Sequence, residues 1–154
     1  MIEWITSFNL NHNHMRKYGL LIFLIGICTN AWAQDFLGLN QTDIESKLIA
    51  KSIDYEAGVK NGIPFISYIK NDDLAFAYQF DSNTKKAIVC MVFIESAKHL
   101  KEVEAYYNKH YTASTEFTDS WSHRFNGAYS TAKLSRNQGG PGKAFIHWSV
   151  INIK

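Results

Sequence analysis

The chain has 154 residues, 46% hydrophobic and 19% charged, with 16 Lys+Arg against 14 Asp+Glu, two Cys and two Pro. These proportions exclude a disordered, collagen-like or disulfide-dense chain and fit one ordinary globular domain. A net charge of +2 supplies no long-range field of the kind nucleic-acid binders use, so no nucleic acid is expected among the partners.

The first 33 residues differ from the rest. Met15-Arg16-Lys17-Tyr18-Gly19 is followed by the apolar run Leu20 to Cys28 and then by Ala31-Trp32-Ala33. A basic start, a short apolar stretch and an A-x-A site, in that order, compose a secretory signal peptide. The run is well short of the ~20 apolar residues that span a bilayer. Cleavage is therefore expected between Ala33 and Gln34, giving an exported protein, periplasmic or secreted, with no stable membrane span. Cys28 follows the bulky Ile27 rather than a small residue, which argues against lipidation. Residues 1–14 precede a complete signal and are expected to be a start-site over-extension, so Asn11-His12-Asn13-His14 is not taken as a metal motif.

On this reading, residues 34–154 are the mature protein, a single domain of 121 residues. Without Arg16, Lys17 and Glu3, 14 basic and 13 acidic residues remain, a net charge of +1. Cys90 is then the only cysteine and has no intrachain disulfide partner. Its setting in Ala87-Ile88-Val89-Cys90-Met91-Val92-Phe93-Ile94 predicts a buried, inert thiol rather than a nucleophile.

The predicted elements follow in chain order. Thr42-Asp43-Ile44-Glu45 has capping-box spacing and predicts a short first helix to about Ser52, with Ile44 and Leu48 on one face. Alternation at Ile53, Tyr55 and Ala57 predicts a short edge strand. Pro64 to Ile69, the turn Asn71-Asp72-Asp73, Leu74 to Phe80 and residues 86–94 predict a three-stranded meander, with Leu74, Phe76, Tyr78 and Phe80 facing the core. Ser96 to Tyr111 reads as a second helix whose buried stripe holds Leu100, Val103 and Tyr107. Beyond it, Trp121, His123 and Phe125 share a strand face, a strand runs from about Ala128 to Leu134, and Phe145 to Ile151 closes the chain after the Gly139-Gly140-Pro141-Gly142 loop. No repeat or linker marks a second domain. The order predicts an α+β fold: an antiparallel sheet of about five or six strands with two helices packed on one face. A chain of this length should bury about two-thirds of its unfolded surface.

Motifs that carry chemistry are incomplete. Gly140-Pro141-Gly142-Lys143-Ala144 lacks the first Gly and the Ser or Thr of a phosphate loop, and it leads into a strand. Asp81-Ser82-Asn83-Thr84-Lys85 starts like a calcium loop, but Lys85 stands where a ligand is needed. His99 and His110 share a helix face about 16 Å apart, too far for one metal. His123 and His147, both on strands, are the pair that could meet across the sheet, with Asp119 or Glu116 as an accompanying carboxylate. They are the candidate catalytic residues of a small hydrolase or metal-dependent enzyme. Zinc would still require a third ligand, so no metal or cofactor is expected. The aromatic strands offer the other reading, a sheet face that binds a protein, peptide or envelope component, with Trp121, Arg124, Tyr129 and Trp148 as candidate contacts. Arg124 and Arg136 are the only arginines of the mature chain, and surface ion pairs would account for them equally.

The Ala31-Trp32-Ala33 site, Phe36-Leu37-Gly38-Leu39, Tyr78-Gln79-Phe80-Asp81, and Tyr106-Tyr107-Asn108 followed by Trp121 resemble small exported proteins of Bacteroidota-type bacteria. Those proteins have no assigned activity, so the resemblance implies export and an α+β fold only. The opening is also similar in order to periplasmic helix-plus-sheet modules such as beta-lactamase-inhibitor-like domains. The missing lipidation site and the single mature cysteine set it apart from lipoproteins of that kind. The expected function is that of an exported, non-enzymatic binding module.

Overall fold

A computed structural model describes residues 33–125, 128–137, 140 and 143–151. Residues 1–32, with the expected over-extension and all but the last residue of the expected signal peptide, and most of the Gly139–Gly142 loop lie outside the described residues. After a 3-10 turn at Ala33–Phe36 come helix α1 (Gln41–Ala50) and strands β1 (Tyr55–Lys60), β2 (Ile63–Asn71), β3 (Leu74–Phe80) and β4 (Ala87–Ile94). Helix α2 (Ala97–His110) is followed by β5 (Thr112–Ala113), β6 (Ser120–Phe125), β7 (Ala128–Arg136) and β8 (Ala144–Val150). The fold is α+β, as the element order predicts. The sheet, however, is antiparallel with eight strands in the order β1-β2-β3-β4-β8-β7-β6-β5, not five or six. The edge strand predicted around Tyr55 is present as β1, whereas no pattern predicts β5, a dipeptide that is a strand only because β6 pairs with it.

The strand order divides the domain into two halves, each a helix followed by four strands, joined by the antiparallel β4–β8 pairing. Equivalent strands meet at the centre, as they would about a two-fold axis between β4 and β8. The sequence shows no matching repeat. The likeness is one of topology.

Helix α1 begins one residue before the predicted Thr42. Asn40 is its N-cap residue, in extended conformation and without a side-chain cap bond. A β-bridge from Asn40 to Lys86, with the Ala87 N–H donating to Leu39 O, holds the preceding chain against the start of β4 and thereby sets the helix start. Thr42 is inside the helix, and its carbonyl accepts the Ser46 hydroxyl. The second helix starts as predicted, because the Ser96 side chain accepts the His99 N–H. Replacing Ser96 by Ala should therefore cost about 1 kcal/mol of stability, whereas Thr42→Ala should stay within about 0.5 kcal/mol. Paired denaturant melts check this contrast.

The core lies between the helices and one sheet face. Ile44 and Leu48 from α1, with Leu100, Val103 and Tyr107 from α2, meet residues that register aligns across the strands. One row is Tyr68, Phe76, Val92, Ile146 and Leu134, and the next is Ile66, Tyr78, Cys90, Trp148, Ala132 and Trp121. All are buried, because alternation along each strand and unbroken register between strands point them to one side.

Candidate binding face

Among the described residues, the opposite sheet face carries no helix. One row runs Ile69, Ala75, Phe93, Phe145 and Ser135 across β2, β3, β4, β8 and β7. The adjacent row holds Ser67, Ala77, Met91, His147, Lys133 and Ser120, and the third holds Phe65, Gln79, Val89, Ser149, Thr131 and Ser122. Phe93, Met91, Val89 and Phe145 are only half-buried, unlike Val92 and Ile146 beside them on the helix side. The middle of the sheet is therefore apolar on both faces, while polar residues of β6 and β7 border the open one. Gly58 of β1 belongs here too: a Cβ at this position would stand 3.1 Å from the Phe65 ring, so the ring leans over the glycine.

His147 sits in the middle of this face, opposite Met91 on one side and Lys133 on the other. Its partial burial penalises the charged form and lowers its pKa from the usual imidazole value. The shift favours the uncharged ring, which stands where the apolar side of the row, Ala77 and Met91, gives way to Lys133.

His123 lies on the other side of the sheet. It pairs with Ser130, which pairs with Val150, and its ring meets Tyr111 of the helix-side layer edge-on with centroids 5.5 Å apart. His147 is in register with Lys133 and Ser120, one residue out of phase with that series. Opposite phase means opposite faces. The sheet therefore separates the two candidate imidazoles, and they cannot share a metal ion or pass a proton directly between them. Asp119 is engaged elsewhere, and among the described residues no three His, Cys, Asp or Glu side chains converge as metal ligands.

The four candidate contact residues divide in the same way. Trp148 is fully buried, its indole N–H donating to the Tyr107 hydroxyl at 2.9 Å. Trp121 is 4% exposed and donates to Asn108 Oδ1 at 2.8 Å. Both tryptophans belong to the core, packed edge-on against Tyr107, and neither can present a ring to a partner. Arg124 and Tyr129 are exposed, directly opposite each other on β6 and β7, and share the open side. Residues Val89, Met91, Phe93 and Phe145 were not singled out as contacts from the sequence. The available signal was that residues 86–94 are apolar on both faces, which fits a central strand as well as a binding strand.

Arg136 is held on the helix side by two ion pairs. Its guanidinium forks onto Asp119 at 2.8 and 3.1 Å and also meets Glu104 of α2. The hydrogen bond and charge of Arg136 hold the Asp119 carboxyl below the usual carboxylate range. This network and the exposed Phe117 line a shallow cleft of about 220 Å³ beside the β5–β6 loop. One guanidinium meets both carboxylates, which fits a clasp tying β7 to α2 and the loop. Cys90 is completely buried against Tyr78, and burial pushes its thiol well above the ordinary value. No helix among the described residues is long and apolar enough to cross a membrane. No family model, curated protein or solved structure matches this chain.

Proposed function

We propose that the protein is an exported, non-enzymatic module that binds a protein or peptide of the cell envelope through its helix-free sheet face. The observation that carries this reading is the band of half-buried apolar side chains, Val89, Met91, Phe93 and Phe145, in the centre of that face and bordered by polar residues. Binding surfaces commonly have this arrangement, an apolar centre within a polar rim. Arg124 and Tyr129 stand at the β6–β7 end of the face, where they would add polar and aromatic contacts.

The test compares capture from an envelope fraction by the natural protein and by Met91→Glu and Phe93→Ser variants. Capture of one reproducible partner should fall about tenfold or more in both variants, since truncating a central anchor costs about 2 kcal/mol or more. Circular dichroism and melting temperature should stay close to those of the parent. Equal capture by folded variants would remove the reading.

A further inference from the structure

The β1 edge of the sheet is suited to meet itself. β1 is one terminal strand of the sheet, and the strand at the other end, β5, has only two residues. Exposed edges are usually blunted by proline, bulges or very short strands. β1 has none of these. It pairs with β2 over six consecutive residues without a register shift, whereas the irregularities of this half of the sheet occur at Ile69/Asn71 and Gln79/Phe80. Its exposed residues include Ala57 and Val59, the latter 68% exposed.

Charge is its remaining protection, and the charge pattern is self-complementary. Glu56, Gly58 and Lys60 alternate with Tyr55, Ala57 and Val59, so the acid and the base share one side with the glycine midway between them. When two identical strands pair antiparallel about a two-fold axis, opposed side chains must point to the same face, so the axis passes through a residue. An axis at Ala57 sets Glu56 against the glycine, and an axis at Val59 sets Lys60 against it. An axis at Gly58 sets Glu56 opposite Lys60 of the second copy, Lys60 opposite its Glu56, and Ala57 opposite its Val59. The residue on the axis then has no side chain to obstruct the approach. Other strands that put an apolar or like-charged residue opposite Glu56 or Lys60 would be disfavoured.

We propose that two copies of this chain associate through β1, antiparallel about Gly58, and so extend their sheets into one. The contact uses the sheet edge and is independent of the open-face reading. Sedimentation equilibrium of the purified protein over a concentration series reaching several hundred micromolar tests it with the natural chain and two charge-reversal variants. The natural chain should show a concentration-dependent dimer. Lys60→Glu and Glu56→Lys should each raise the dissociation constant about tenfold, because the symmetry turns two opposite-charge pairs into like-charge pairs. Mixing the two variants restores opposite charges at both positions, and heterodimers should form with roughly the parent affinity. A natural chain that stays monomeric throughout, a dimer indifferent to either reversal, or a mixture that fails to associate would each overturn the proposal.

Discussion

Trp148→Ala is expected to lower the unfolding free energy by about 5 kcal/mol, the largest effect of any single truncation proposed for this chain. The indole lies in the middle of β8, fully buried, with Tyr107 and Tyr111 against it at centroid distances of 5.6 and 5.2 Å. Truncation opens a cavity that rigid neighbours on three elements cannot fill, which by itself costs about 3–5 kcal/mol. It also removes the donor to the Tyr107 hydroxyl, itself fully buried. Leaving such a group unsatisfied costs a further 1–3 kcal/mol or so. Trp148→Phe should fall between the parent and the alanine variant, because it loses the N–H and part of the bicyclic ring but keeps most of the volume. Tyr129→Ala, on the exposed side of β7, should stay within about 0.5 kcal/mol. Urea unfolding followed by circular dichroism checks the series. A loss below about 1 kcal/mol for Trp148→Ala would mean that the indole is not where the helix-side layer closes.

Cys90 should react with a thiol reagent at least about a thousandfold more slowly in the native protein than in denaturant, since access requires global or near-global opening. The thiol has no exposed surface and lies on β4 opposite Tyr78 and Trp148, two of the largest buried side chains. Burial also raises its pKa, which removes the reactive thiolate at neutral pH. The labelling rate should rise with urea in step with the unfolding transition. Prompt stoichiometric labelling under native conditions would show that β4 separates from the helix layer far more easily than its packing implies.

The two helices illustrate how far local pattern reaches. The helix start at Ser96 and the Leu100, Val103, Tyr107 stripe depend only on neighbours within a few positions, and the helix and its stripe appear as the spacing predicts. The first helix start depends on a strand far along the chain, through the bridge to Lys86, and a capping-box pattern inside the segment cannot reveal it. The placement of the four candidate contacts depends on distant segments in a related way. Aromatic residues in strands signal either core or contact surface, and only the sheet position of Trp121 and Trp148 assigns them to the core.

What the sequence by itself determined is the α+β class, the buried stripe of each helix, and the core face of β3, where Leu74, Phe76, Tyr78 and Phe80 are all buried. Each of these is a periodicity, set by backbone geometry within one element. Only the tertiary structure decided which face of every other strand meets the helices, that His123 and His147 stand on opposite sides, and that the edge opposite β1 is a two-residue β5. The reason is register: alternation fixes which residues of a strand share a face, but a shift of one residue against the neighbour exchanges the two faces. That choice is made by packing between segments distant in sequence. Among the described residues it also leaves one side of this sheet without a helix, and the candidate function rests on that side.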